Sequence, residues 1–543
     1  MKRIRILLAL CLSSTLLLAE DIQTVAESSN YAKTSLYQDV MDFLYKVQKK
    51  SDLVRILSLT TSSEGRMVPL VVVSKDKVGR PGDLSLYGKP AVLVMANIHA
   101  GEVEGKEASL MLIRDIAFGK FAGLLDSQVL LFIPIFNADG NDKLGHNRRD
   151  IGPELAGVRY NGQNLDLNRD YLKLESPEVQ ALVGLFSDWD PVLTVDMHTT
   201  NGSYHREPVT YSTLLNPNSE KSLGDFMWQK LFPAVTRTLK TVYGYDSVPY
   251  GNFVDREFPE KGWESDALEA RYGSNYVGLR NRFSILDENY SYADFRTRVL
   301  ASRAFVASIL AYSAKNIGAM AEMTRRADRE TAARFSRGEF VTEFQRERLF
   351  DVTVKSYEFV KETITPEDRA KYPPWAGEFI MKKTDVLKDY TIPYFSLAVP
   401  RRKLPLPAGY VLAAHQPEAL ANLKRHGIRV ERVLEDFRAE AESFTITAVE
   451  PSRSIYQGRV QNVIKGQYEK GPVTIPAGSY YIGLDQPLAR LVPVLLEPES
   501  VDSLAAWGFF NRVIVQQWSN RPGPYPVQRL AQRPAAATAL LSE

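Results

Sequence analysis

Residues 91–105 read Ala-Val-Leu-Val-Met-Ala-Asn-Ile-His-Ala-Gly-Glu-Val-Glu-Gly. The largely apolar run 91–98 predicts a buried strand, and just beyond it stand His99 and Glu102, three positions apart. A strand end is a rigid platform. An imidazole and a carboxylate on the turn leaving it can both reach one Zn²⁺, which takes N and O ligands at about 2.0–2.2 Å and keeps a position open when the site is catalytic. Chance alone can supply such a pair in a chain of 543 residues, so its meaning rests on what stands around it.

The flanking segments alternate between strand and helix. Upstream, Leu36, Val40, Phe43, Leu44 and Val47 recur at helical spacing, and the strand-like runs 54–59 and 67–74 flank the turn residues Ser62-Ser63-Glu64-Gly65-Arg66, which predicts a helix and then a hairpin. Downstream the pattern predicts a helix over 104–118, a strand over 129–136 and a loop-rich passage over 141–171. A helix over 176–187 follows, with Ser176 as N-cap and Pro177 at its first position. Then come a strand over 192–197 leading into His198, a long helix near 222–243, a strand over 282–287 and a helix over 293–313. Such alternation predicts an α/β sheet covered on both faces. Ligands of such sheets bind beyond the carboxyl ends of strands, where His99, His198 and Glu288 all fall.

Residues 316–345 are dense in Arg and Glu and read as a surface helix or linker. Beyond them, β-like runs at 352–360, 390–398, 443–449 and 480–484 mix with one helical stretch, 418–426, a pattern that is α+β or β-rich. From Asn520, the sequence Arg521-Pro-Gly-Pro-Tyr-Pro526 predicts an extended tail. The expected division is a leader at 1–19, a metal-site domain at 20–320, a linker or surface helix at 321–345, a second domain at 346–519 and a tail at 520–543.

A hydrophobic share of 44% and a charged share of 24% are ordinary for a soluble globular chain and favour neither disorder nor a membrane architecture. Lys2, Arg3 and Arg5, then the mostly apolar run 6–18, then Ala19 before Glu20-Asp21 form the pattern of a secretory signal. The chain is therefore expected to be exported, periplasmic or secreted, with cleavage after Ala19 and a membrane contact only through an uncleaved anchor. The single cysteine, Cys11, lies in that leader, so a mature chain would rely on its core rather than on disulfides. Cleavage removes three cations and no acid, taking the formal charge from +2 to −1. No nucleic-acid partner is expected from that balance.

A third metal ligand stands in Asp196-Met-His198, again at a strand end. Two ligands close in sequence and one distant leave a fourth position open, the catalytic rather than the structural pattern. Between them, Asn168 and Arg169 offer an amide beside a planar fork, suited to a carboxylate.

His99-Ala-Gly-Glu102, Asp166-Leu-Asn168-Arg169, Asp196-Met-His198 and Asp287-Glu288-Asn-Tyr-Ser-Tyr occur in the order seen in the M14 family of zinc metallocarboxypeptidases, which residues 35–315 resemble. The resemblance implies an α/β/α sandwich around a mixed sheet of about eight strands. It also implies one Zn²⁺ per chain on His99, Glu102 and His198, with Glu288 as the catalytic carboxylate. Asp166 would accept the free N–H of the first zinc histidine, and Asn168 and Arg169 would hold a substrate carboxylate. The family's oxyanion arginine is assigned to Arg159, with Arg148 and Arg149 as alternatives; its active-site tyrosine is assigned to Tyr276, with Tyr272 and Tyr292 as alternatives. The region beyond 345 is similar to C-terminal extensions of some secreted bacterial members, most clearly at 485–491 and 495–500.

The implied activity is removal of C-terminal residues from a peptide or amide substrate with a free carboxylate. The alternatives are a zinc amidase acting on cell-wall peptides or N-acyl amino acids, and an inert binding protein. Asp255, Glu257, Glu260, Glu264 and Asp266 are candidates for favouring basic terminal residues. His146 and His205 read as loop residues, His415 and His426 as exposed or structural, and Asp287 as a sheet-end acid.

Overall fold

The strands predicted by apolar runs are present, and they form one sheet with two more that the pattern did not announce. In the computed structural model, β1 (Val54–Thr61), β2 (Met67–Val73), β3 (Ala91–Ala96), β4 (Val129–Ile133), β5 (Leu193–Thr199), β6 (Val209–Thr213), β7 (Ser247–Pro249) and β8 (Phe283–Asn289) assemble in the order β1-β2-β4-β3-β5-β8-β6-β7. The structure describes residues 22–121, 123–147, 151–200, 202–265, 267–371, 377–516, 518–519 and 521–541. The leader at 1–19, Arg148, Arg149 and Asp266 lie outside the described residues.

The central strands β4, β3, β5 and β8 run parallel, and all six residues of β3 are buried. A strand covered on both faces is apolar at every position rather than at alternate ones. The unannounced strands β6 and β7 lie toward one end of the sheet; β6 reads Val-Thr-Tyr-Ser-Thr and carries little apolar signal.

Helices α1 (Tyr37–Lys50), α2 (Glu104–Ala117), α3 (Pro177–Asp188), α4 (Gly273–Leu279) and α5 (Phe295–Arg334) pack on this sheet and on one another. The predicted end of α5 near residue 313 is wrong. The helix continues to Arg334, burying Ile317, Met320, Ala321, Thr324, Ala327 and Thr331. Those positions keep helical spacing, but from residue 321 on they are only Ala and Thr, which carry a weak hydropathic signal. Of the expected linker or surface helix at 321–345, the helix is present as far as Arg334; a short 3-10 turn, Phe335–Arg337, then leads directly into a strand, so there is no linker.

The C-terminal region is built on two long antiparallel hairpins. The first pairs Glu339–Thr363 with Phe379–Pro405. It shares a four-stranded sheet with Asn252–Phe253 and Trp263–Glu264, Trp263 lying opposite Tyr394 in parallel register. The second pairs Phe437–Tyr456 with Arg459–Ile475 at one edge of a seven-stranded sheet. The expected extended tail is corrected as well: Val527–Leu530 pairs inside that sheet and Thr538–Leu540 closes its other edge.

Both sequence signatures of the extension are structural. Arg490 reaches into the first domain, its Nε donating to Asn281 Oδ1 at 3.0 Å and its Nη1 to Asn218 O at 2.9 Å. Glu497 is buried and accepts from the hydroxyls of Tyr410 and Tyr468, both at 2.6 Å.

Candidate active site

The turn leaving β3 is set by local chemistry. Asn97 sits at φ 64°, a left-handed conformation that asparagine tolerates. Its Nδ2 donates to Ala100 O at 3.2 Å and Glu102 O at 3.3 Å. Gly105 then lets α2 approach β5, since a Cβ there would lie 2.6 Å from Met197 Cβ. The start of α2 is thereby held against the strand that carries His198.

Three side chains converge as a result. His99 Nδ1 lies 3.0 Å from Glu102 Oε1 and His198 Nδ1 lies 2.9 Å from Glu102 Oε2. All three residues are buried, and their ligand atoms lie within 4.8 Å of one another. The far nitrogen of each ring meets a second carboxylate: His99 Nε2 is 3.1 Å from Asp166 Oδ1, and His198 Nε2 is 2.9 Å from Asp196 Oδ2. Asp196 and His198 are two apart on a strand and therefore share a face. With each Nε2 facing a carboxylate, the Nδ1 atoms are left facing the space between the rings, where a cation fits. Glu288 stands directly opposite His198 in the β5–β8 register, so the two side chains project from the same face of neighbouring strands about 4.8 Å apart.

A cleft of ≈ 400 Å³ opens over this group, with Arg159, Asn168, Arg169, Tyr272 and Glu288 in its wall. Asp166 organises one side of it. Its Oδ1 accepts the Asn168 N–H at 3.0 Å, capping the short turn Leu167–Arg169, and its Oδ2 accepts Arg159 Nε at 2.8 Å. Asn168 Oδ1 accepts the Gly273 N–H at 3.0 Å. The Arg169 guanidinium lies 4.0 Å over the ring of Tyr272, and its Nη1 donates to Asn168 O at 2.8 Å.

The electrostatics suit a cation. Burial works to raise the Asp166 carboxyl, but His99, Arg159 and Arg169 outweigh it and hold the group well below the usual carboxylate range. Burial likewise opposes a charge on His198, yet Asp196 and Glu102 raise its pKa well above that of an ordinary imidazole. The carboxylates of Glu102 and Asp196, 2.9 Å from the two nitrogens of that ring, give the pocket the negative charge that a metal ion needs.

A family profile described as zinc carboxypeptidase matches residues 40–265. Residues 40–265 form a domain of the M14 family of zinc carboxypeptidases. It is a peptide hydrolase, and the family's metal is zinc. Carboxypeptidase 2 of Trichophyton equinum is 24% identical over 468 residues, spanning 82% of this chain and 78% of its own. A match of that extent runs well into the C-terminal hairpins. Carboxypeptidase Z of Mus musculus is 30% identical over 132 residues, 23% of this chain and 19% of its own. The crystal structure of a metallo-carboxypeptidase from Burkholderia cenocepacia is 17% identical, covering 51% of this chain and 69% of that one, with a TM-score of 0.38.

His99, Glu102, Arg159, Asn168, Arg169, His198 and Glu288 all line the cleft, and Asp166 backs them. Tyr276 does not. It is fully buried on α4, its hydroxyl 2.8 Å from His426 Nδ1, and burial holds that histidine neutral, with a pKa pushed down to about 3. Tyr276 and His426 join the two regions of the chain. Of the two alternatives, Tyr272 is in the cleft wall, while Tyr292 stacks on Tyr204 at 5.0 Å.

The acids proposed to select basic residues are engaged elsewhere. Asp255 pairs with Lys261, Glu257 with Lys361 and Glu264 with Arg346, Glu260 is exposed, and none of the four lines the cleft. Asp287 points away from Glu288 and accepts from Ser302 Oγ at 2.6 Å; burial pushes it up to about 7. Glu104, the second acid of the opening motif, is a core ion-pair partner of Arg298 at 2.7 Å. Asp196 is a site residue that the motifs leave without a role, and its spacing of two from His198 on a strand is the signal for it in the sequence.

Proposed function

We propose that His99, Glu102 and His198 hold one Zn²⁺ and that the site removes the C-terminal residue from peptides. The convergence of two ring nitrogens on one carboxylate, each ring backed by a second acid, supports this reading. When bound there, zinc supplies a Lewis acid that acidifies water and polarises the scissile carbonyl. Glu288 accepts the proton of the attacking water and delivers it to the amide nitrogen as the C–N bond breaks. Arg159, anchored through Nε on Asp166 with Nη1 3.6 Å from Glu102 Oε1, places a fixed positive charge beside the developing oxyanion.

Arg169 and the NH₂ end of Asn168, whose oxygen is taken by Gly273, bind the terminal carboxylate. A charge-assisted hydrogen bond contributes about 1.5–3 kcal/mol. Arg169→Ala is therefore expected to raise KM for free-acid peptides by roughly 10- to 100-fold with a smaller change in kcat. Initial-rate measurements on one dipeptide series check it; an unchanged KM would remove Arg169 from the carboxylate site.

The reading as a whole is tested by metal analysis of the purified chain and mass spectrometry of a mixed peptide pool. One zinc per chain, successive single-residue losses from the C-termini, and loss of trimming under a chelator with recovery on added Zn²⁺ are expected. A folded chain that binds zinc and trims nothing would overturn the peptidase reading, and cleavage of N-acyl amino acids alone would favour the amidase.

Export is proposed on the charged, apolar and small-residue pattern of residues 1–19. Fractionation of producing cells, with N-terminal sequencing of the exported chain, would test it.

A further inference from the structure

The second hairpin turns on Gln457 and Gly458, with Tyr456 paired to Arg459 across the turn. Both turn residues are left-handed, at φ 52° and 72°, as a two-residue hairpin turn that follows the strand twist requires. Glycine adopts that conformation freely, whereas a glutamine there is unusual. Its side chain has a use. Gln457 Oε1 accepts the backbone N–H of Asp166 at 2.8 Å.

Asp166 is the residue on which the site converges. One carboxylate faces the His99 ring, caps the turn bearing Asn168 and Arg169, and anchors Arg159. We propose that the hairpin tip is a strut for the metal site, with Gln457 as a positioning residue that fixes the Asp166 backbone and, through its carboxylate, the orientation of His99. The inference deepens the proposed function and rests on its assignment of His99 as a zinc ligand. It gives the C-terminal region a part in the reaction that the catalytic motifs do not supply.

The tip is seated by groups other than Gln457. Arg459 pairs with Glu175 at 2.6 Å and donates to Trp507 O at 2.9 Å. Tyr456 stacks on Trp507 with ring centroids 6.1 Å apart. Removing the Gln457 side chain therefore leaves the hairpin in place and releases only Asp166.

The test compares Gln457→Gly and Gln457→Glu with the unaltered full chain. Glycine is at ease at φ 52°, so Q457G keeps the turn and deletes the acceptor, while Q457E keeps an oxygen at the same reach. Zinc affinity is read by competition with a chromophoric chelator, alongside kcat, KM and Tm. Losing a group bonded directly to a metal ligand costs roughly 10- to 100-fold in affinity, so one step further out about 3- to 10-fold is expected for Q457G, with a matching loss of kcat/KM and no fall in Tm. Q457E is expected to stay close to the unaltered chain. Zinc affinity and kinetics unchanged in Q457G would overturn the strut, as would a loss accompanied by an equal loss in Q457E. An unaltered chain that binds no zinc would instead sink the metal-site reading, and the strut with it.

Discussion

Glu288→Gln is expected to lower kcat by on the order of 10²- to 10⁴-fold, the range a positioned general base contributes, while zinc content and KM stay near those of the unaltered chain. The carboxamide has the shape of the carboxylate but cannot take a proton from water. The backbone of residue 288 is held by the ladders of β8 to β5 on one side and β6 on the other. Three measurements decide the case, namely kcat, KM and metal per chain. Retention of more than about a tenth of the activity, well short of the loss expected for a base, would mean that another group does the work. Asp287 is poorly placed to be that group, since it is wholly buried and bonded to Ser302. Loss of metal from Glu288→Gln would instead identify residue 288 as a ligand.

Three of the candidate site residues were legible because each sits at the end of an apolar strand, where hydropathy stops and chemistry begins. His99, His198 and Glu288 follow runs that bury on both faces, and β3, β5 and β8 are adjacent parallel strands of the sheet. Their pairing register, Glu288 opposite His198 and Ala96 opposite Met197, then follows from parallel strands that must all be buried. Asp166 and the Asn168-Arg169 turn were legible for another reason. Their types suit a carboxylate and an imidazole N–H, and the order of motifs resembles a known family.

What escaped was set by distant parts of the chain. Tyr276 and Tyr272 lie four apart, yet Tyr272 stands at the N-cap position of α4 under Arg169, while Tyr276 is fully buried against His426. That choice depends on a partner 150 positions away. Gln457 escaped for the same reason, its acceptor role being created by a hairpin from the other region. The acids at 255–264 failed as specificity candidates because surface lysines and arginines draw several of them outward, and nearness in sequence to a cleft says nothing about direction.

Truncation after Arg337 is expected to abolish soluble folding, although the family profile ends at residue 265 and the sheet is complete by residue 289. The cut removes partners from side chains that the first domain buries at the junction. Trp263 and Tyr276 are fully buried and Phe253 is 7% exposed, and each packs against or bonds to a residue beyond 338: Trp263 lies opposite Tyr394, Phe253 against Tyr390, and Tyr276 bonds to His426. Exposing three such side chains costs roughly 1.5–3 kcal/mol apiece, which together overlaps the lower half of the roughly 5–15 kcal/mol that holds a domain folded. Polar losses add to this. Arg271, next to Tyr272 in the cleft wall, loses its ion pair with Asp502 at 2.9 Å, and buried Lys173 loses the Trp507 ring 4.9 Å away. Soluble yield and cooperative thermal unfolding of residues 22–337, set beside the full chain, test the expectation. A fragment that stayed soluble, melted cooperatively and kept its kcat would show that the hairpins ride on an independent enzyme, and the shared sheet through Trp263 would then be an attachment rather than a support.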